Sequence, residues 1–227
     1  LKLSQYQWLL FDADETLFDF DAFSGLKHAL SQYGVNFTED DYAEYQKTNK
    51  ALWDQYQAHE IDTNTLQRQR FHTWSQRLNV PATTLNANFL ASMAEICQPL
   101  PGAHELLKSI TPDVNIGIIT NGLTGLQQGR LHNTGFDQYL DLLVISEVVG
   151  VGKPSPEIFE YAFERMGHPE KANVLMVGDN LHTDVIGGNR FGIDTCWYNR
   201  HQLPNETDII PTLEVHSHED FKRWLLS

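Results

Sequence analysis

The stretch Trp8-Leu9-Leu10-Phe11-Asp12-Ala13-Asp14-Glu15-Thr16-Leu17-Phe18 decides how the rest of the chain is read. Four apolar residues run into two carboxylates placed two positions apart, followed by a threonine. A short apolar run closed by polar residues marks a buried strand that delivers its last residues to a loop. If the extended backbone persists for one step, Asp12 and Asp14 point to the same side. Two carboxylates held that close repel unless something compensates. A divalent cation is the simplest compensation, because hard cations take oxygen ligands. The alternative is a polar turn with both carboxylates in solvent, and this stretch alone does not choose between the two.

The surrounding pattern supplies the context. The first strand covers roughly residues 6–12. Phe23, Leu26, Leu30 and Tyr33 then recur at helical spacing, and Gly34 stops them. Thr38 with Asp41 resembles a capping box ahead of a helix carrying Tyr42, Tyr45, Leu52, Trp53 and Tyr56. Leu66, Phe71, Trp74 and Leu78 predict a third helix ended before Pro81, and Leu85, Phe89, Met93 and Ile96 a fourth. After Pro99-Leu100-Pro101-Gly102 the pattern changes. Helices over 102–110, 123–133, 155–166 and 181–191 alternate with strands over Asn115–Ile119, Leu142–Ser146, Asn173–Val177 and Asp194–Tyr198. A strand near Leu213–Val215 and a short helix close the chain. Short apolar strands alternating with helices imply a parallel sheet covered on both faces. The expected fold is therefore α/β: a Rossmann-like parallel core made of residues 1–18 plus 98–227, interrupted by a helical cap over 19–97. Open α/β sheets bind ligands at the carboxyl ends of their strands. That rule brings Asp12 and Asp14 together with Thr120, Asn121 and Gly178-Asp179.

The bulk numbers narrow the class. The chain has 227 residues, with 30 acidic against 16 basic residues and a formal net charge of -14. Such a surface repels nucleic-acid backbone and anionic membrane, so neither is an expected partner. It also repels phosphorylated substrates, so an anion site here needs a local cation. Cys97 and Cys196 sit in no ligand spacing, which argues against a zinc site or a disulfide framework. With no signal-peptide pattern and no apolar run of transmembrane length, a cytoplasmic protein is expected, as a monomer or weak homo-oligomer. Leu1 in place of Met points to a missing or processed start.

Four stretches carry chemistry: Asp12-Ala13-Asp14-Glu15-Thr16, Ile118-Ile119-Thr120-Asn121-Gly122, Gly152-Lys153-Pro154-Ser155-Pro156-Glu157-Ile158-Phe159, and Gly178-Asp179-Asn180-Leu181-His182-Thr183-Asp184. In order, spacing and context they resemble the haloacid-dehalogenase-like superfamily of phosphotransferases, in the branch with a helical cap inserted after the first strand. The resemblance spans the chain and implies phosphoryl transfer. That reaction needs an in-line nucleophile, neutralised equatorial oxygens and a proton for the leaving group. Asp12 is the natural nucleophile, forming an acyl-phosphate. Asp14 is placed to protonate the leaving alkoxide and then to deprotonate the hydrolytic water, so it must be protonated part of the time. Mg²⁺, or Mn²⁺ in its place, would be held by Asp12, the backbone carbonyl of Asp14, and Asp179, with Asp184 supporting it directly or through a water. Thr120 and the N–H groups of Asn121 and Gly122 would hold phosphate oxygens, and Lys153 would neutralise phosphate and Asp12. Taken singly, each has a plainer reading: Thr120 as a helix N-cap, Lys153 as a solvated lysine, Asp184 as a first-turn acid. Asn180 departs from the family's usual Ser or Thr.

Asp14 separates phosphate-ester chemistry from dehalogenation, which needs no such acid. Within the superfamily the chain is most similar to bacterial pyrimidine 5'-nucleotidases. The likeness lies in residues 11–18, Met93-Ala94-Glu95-Ile96-Cys97 with Pro99-Leu100-Pro101-Gly102, residues 118–122, and Leu142-Leu143-Val144-Ile145-Ser146-Glu147. It implies hydrolysis of nucleoside monophosphates such as dUMP, UMP and dTMP, with a cap that closes over a small substrate. The alternatives are a sugar-phosphate or phosphoglycolate phosphatase and, more remotely, a non-catalytic binding module. Phe18, Phe20, Phe23, Trp53, Tyr56 and Trp74 are candidates to stack a base, with cap core as the preferred reading. His216 and His218 are a weak candidate metal pair, and His182 is expected to be solvated.

Overall fold

A computed structural model describes residues 2–58 and 60–227. Leu1, and with it any reading of the start, lies outside the described residues, as does His59. The first strand, β1 (Trp8–Phe11), is buried at every position, as expected of an apolar run with no polar face. Five helices follow: α1 (Ala22–Ser31), α2 (Glu39–Gln57), α3 (Thr63–Gln69), α4 (His72–Leu78) and α5 (Ala82–Ile96). After them come α6 (Ala103–Ile110), β2 (Asn115–Thr120), α7 (Thr124–Thr134), β3 (Leu142–Ile145), α8 (Ser146–Val149), α9 (Pro156–Arg165) and β4 (Val174–Gly178). The chain closes with α10 (Ile186–Phe191), β5 (Asp194–Tyr198), β6 (Leu213–Val215) and α11 (His218–Leu225).

The six strands form one parallel sheet in the order β3-β2-β1-β4-β5-β6. β1 is central, with Phe11 in register with Ile118 of β2 on one side and Val177 of β4 on the other. The carboxyl ends of β2, β1 and β4 therefore fall side by side, and Asp12, Thr120 and Asp179 lie at those ends. Asp12 N–H still donates to Val177 C=O at 2.8 Å, so the ladder holds the first site carboxylate as it holds the strand.

The chain divides into two compact units. One is the sheet with its helices: Leu1–Asp19, Gln98–Leu123 and Thr134–Ser227. The other is helical: Phe20–Cys97 and Thr124–Asn133. The second unit thus takes in most of α7, which the sequence reading left in the core. The reason is local: Gly125 faces Leu90 and Gly129 faces Ala94, so α7 packs closely on α5. Asn133 Nδ2 also donates to Ala94 C=O at 3.1 Å.

Within the helical unit the capping box at Thr38 and Asp41 is formed. The third expected helix is two, α3 and α4, parted at Arg70-Phe71. Both residues are buried there, Arg70 on Asn86 and Phe71 between Tyr45 and Phe89. Most of the aromatics offered as base-stacking candidates belong to packing. Phe23 rests on Phe37 and Tyr42, Trp74 on Phe37, and, in the sheet unit, Phe18 on Phe136. Trp53 meets Tyr56 edge-on, and Phe20 is exposed.

In the sheet unit the segments that leave and re-enter the sheet pair with each other. Asp19 N–H donates to Gln98 C=O at 3.0 Å and Leu100 N–H to Leu17 C=O at 2.8 Å, around an antiparallel bridge between Phe18 and Pro99. No helix among the described residues is long and apolar enough to cross a membrane.

Candidate active site

Past Phe11 the chain folds back sharply. Leu17 and Phe18 N–H both donate to Ala13 C=O, Glu15 N–H donates to Phe18 C=O, and Glu15 adopts a left-handed φ of 58°. An ion pair with Arg200 at 2.6 Å holds the Glu15 side chain. This turn leaves Asp12 buried and Asp14 half-buried.

Asp12 meets two acids from the end of β4 onward. One oxygen from each of Asp12, Asp179 and Asp184 lies within 4.8 Å of the others. Asp184 sits in a π-helical turn, Leu181–Val185, which leads into α10. Such turns recur at functional sites because they re-aim a side chain. Here the turn lays Asp184 across the end of β4: a Cβ on Gly178 would lie 2.2 Å from Asp184 Oδ2, so glycine is required there. Asn180, the departure from the family pattern, caps the turn by accepting from His182 N–H at 2.8 Å, and its own N–H donates to Asp184 Oδ2 at 3.1 Å. His182 is exposed, as expected.

Lys153 enters the cluster from the loop before α9. Its Nζ lies 2.5 Å from Asp12 Oδ1 and 2.7 Å from Asp184 Oδ1, and it is buried. Neither Lys153 as a solvated lysine nor Asp184 as a plain first-turn acid describes these positions. Burial opposes charge on Lys153, but Asp12 and Asp184 together outweigh it and raise its pKa. The acids feel the opposite. Burial, with the neighbouring carboxylates Asp184 and Asp14, pushes Asp12 up to about 7 despite Lys153. Burial, then Asp12 and Asp184, push Asp179 up to about 8. With all three acids ionised, their charge of -3 and the lysine's +1 sum to -2. Two carboxylates at such separations repel by about 3 kcal/mol at an effective dielectric of ~20. An all-oxygen donor set with a deficit of two positive charges fits a hard divalent cation.

Thr120 is buried at the end of β2, and its Oγ1 accepts from Gly122 N–H at 3.0 Å. α7 begins four residues later, so Thr120 is not its N-cap. The Gly122 N–H, expected to hold a phosphate oxygen, here closes a two-residue hydroxyl-to-backbone turn with Thr120. The Asn121 side chain turns to the Lys153 backbone, with Oδ1 and Nδ2 at 2.7 and 2.8 Å. The Asp14 carboxylate is not among the three clustered oxygens.

Three further residues hold the site in roles that the sequence did not assign to them. Thr16 Oγ1 accepts from Asp179 N–H at 3.0 Å, and Trp197 Nε1 donates to Asp179 C=O at 2.8 Å. The Asp179 main chain is thereby held at both polar groups. His218 is buried, with Nε2 2.8 Å from Thr16 C=O and Nδ1 2.9 Å from Pro101 C=O. Both ring nitrogens face carbonyl oxygens and His216 Nδ1 faces Asn199 C=O, so the two histidines form no metal pair. Thr16 lay inside a quoted motif. Trp197 carried no polar signal, since the indole reads as strand core, and His218 was marked only as half of a metal pair, not as a residue that holds the Thr16 turn.

A family model for haloacid dehalogenase-like hydrolases matches residues 6–192. The chain is 49% identical to the pyrimidine 5'-nucleotidase YjjG of Escherichia coli, over 97% of this chain and 98% of that one. It is 38% identical to the pyrimidine 5'-nucleotidase PynA of Streptococcus pneumoniae, over 95% and 93%. Among solved structures, the magnesium-bound HAD-hydrolase YfnB of Bacillus subtilis superposes with a TM-score of 0.80 at 28% identity, covering 97% of this chain and 99% of that one. The strand-end acids, the buried lysine and these likenesses agree: the chain belongs to the haloacid dehalogenase-like hydrolase family.

Proposed function

We propose that the protein is a metal-dependent phosphatase that hydrolyses nucleoside 5'-monophosphates, the pyrimidine ones dUMP, UMP and dTMP foremost, through an aspartyl-phosphate on Asp12. The observation that carries the reaction class is the buried Asp12 carboxylate, paired with Lys153 beside Asp179 and Asp184 at the strand ends. The substrate class rests on the likeness to two relatives that both bear the name pyrimidine 5'-nucleotidase.

In this reading the Asp12 carboxylate attacks phosphorus in line with the ester oxygen. Asp14 gives its proton to the departing 5'-oxygen, releasing the nucleoside. It then takes a proton from the water that attacks the aspartyl-phosphate, which frees phosphate and restores Asp12. Lys153 favours the ionised form of Asp12 and offsets charge on the transferring group. The Thr120 hydroxyl, oriented by the N–H it accepts, faces a phosphate oxygen. Asp12, Asp179, Asp184 and the Asp14 carbonyl would hold Mg²⁺ or Mn²⁺, which when bound neutralises phosphoryl charge. The helical residues 19–97 act as the cap that selects the leaving group.

The test is kcat/KM with Mg²⁺ for UMP, dTMP, phosphoglycolate and hexose phosphates. Pyrimidine nucleotides should be the preferred substrates. A hexose phosphate or phosphoglycolate preferred over them would overturn the nucleotidase reading, and no release of phosphate from any of them would overturn the enzyme.

A further inference from the structure

We infer that the Asn121 side chain is the positioning group for Lys153, and that it acts through the main chain of the lysine. Asn121 Oδ1 accepts from Lys153 N–H at 2.7 Å, while Nδ2 donates to Lys153 C=O at 2.8 Å. One carboxamide thus grips both polar groups of one residue, as a neighbouring strand would. A planar two-point grip fixes rotation as well as position, which a single hydrogen bond does not. Only one orientation of the amide satisfies both bonds, because one end must accept and the other donate.

Lys153 needs such a hold. It lies between α8 and α9, outside any strand or helix, and its long flexible side chain must place Nζ against two carboxylates at once. Asn121 follows directly on Thr120, the last residue of β2, so the grip ties that loop to the rigid sheet 32 residues away in sequence. Gly152 supplies the room. A Cβ there would lie 2.6 Å from Asn121 Oδ1, and Gly152 is not among the glycines with positive φ. Alanine at 152 would therefore press on the Asn121 amide without straining its own backbone.

The catalytic consequence rests on the phosphatase reading, so the experiment separates the two. Full-length wild type, Asn121→Ala, Gly152→Ala, Lys153→Met and the Asn121→Ala/Lys153→Met double variant are assayed with a pyrimidine monophosphate and Mg²⁺. Asn121→Ala should lower kcat on the order of 10–100-fold with KM within about 3-fold, since misplacing a charge by an ångström carries that cost. Gly152→Ala should reproduce the loss with Asn121 still present. In the Lys153→Met background Asn121→Ala should change kcat by less than about 2-fold, because the group it positions is gone. Full kcat in Asn121→Ala, or its full loss repeated on top of Lys153→Met, would overturn the inference. A wild type that releases no phosphate defeats the functional reading instead. Hydrogen exchange at the Lys153 amide then decides the inference alone: it should quicken at least about 10-fold in Asn121→Ala, and unchanged exchange would refute the grip.

Discussion

Lys153 and Arg70 are both buried cations, one in the sheet unit and one in the helical unit, and their surroundings are opposite. Lys153 faces the carboxylates Asp12 and Asp184, with Asp179 close by. Arg70 meets neutral groups: its Nε donates to Asn86 Oδ1 at 2.8 Å, and its guanidinium lies over the rings of Phe71 and Phe89. Asn86 in turn donates to Gln67 Oε1 at 2.7 Å. In the helical cluster the polar groups pair in a chain, Arg70 to Asn86 to Gln67. The strand-end cluster holds more negative charge than its lysine offsets, so Asp12 and Asp179 are pushed up toward neutrality. A fold tolerates such crowding where the charges have work to do. The contrast separates a cluster arranged for chemistry from a cluster arranged for packing.

The sharpest way to break that contrast is Asp12→Asn. It removes one crowded charge, so the fold should persist with an unchanged or raised melting temperature while kcat falls on the order of 10⁴-fold or more. Substantial residual turnover would remove Asp12 as nucleophile. The mirror experiment is Asn86→Ala. Leaving Arg70 and Gln67 short of a partner should cost about 2 kcal/mol in a denaturant titration, with kcat of the folded enzyme within about 2-fold. Lost activity at unchanged stability would make the helical cluster part of the chemistry. Trp197→Phe keeps an aromatic ring but removes the N–H that holds Asp179 C=O. Mg²⁺ affinity measured by calorimetry should weaken by about 10-fold, and unchanged affinity would leave Trp197 a core residue only.

The smallest effect is a pH dependence. Asp12 and Asp179 are raised to about 7 and 8 from an unfolded value of 3.8. Between those values the metal-free folded chain keeps protons that the unfolded chain has released. The stability these groups contribute is therefore present at low pH and lost as pH rises through 7–8. A divalent cation competes with those protons, so Mg²⁺ should raise the melting temperature more at pH 8 than at pH 6. An equal rise at both would take these carboxylates out of the metal site.

Much of the site was readable because strand ends announce themselves. An apolar run that stops at a carboxylate fixes both its strand and its end, so Asp12, Thr120 and Asp179 could be placed together from pattern alone. Lys153 and Asp184 came with motif spacing. What stayed hidden depends on where one end of a side chain reaches. The body of Trp197 packs with Leu181 and Val185, as its strand predicts, and only its N–H reaches the site. Asn121 reads as a strand-end residue offering its N–H to phosphate, yet its side-chain amide spans to Lys153. The break between α3 and α4 was equally silent, because Leu66, Phe71 and Trp74 fit helical spacing whether or not the backbone is continuous.

The paired segments at Leu17–Asp19 and Gln98–Leu100 bear on how the chain folds. They hold the two ends of residues 20–97 a strand's width apart. To the sheet, that whole segment is a closed loop, and the entropy of closing a loop grows only with the logarithm of its length, to about 4 kcal/mol at this size. The central strand can therefore find β2 and β4 without waiting for the five helices to form. The same geometry lets the connections within the segment be lengthened or shortened while the sheet sees the same two ends, as long as α5 keeps its packing on α7.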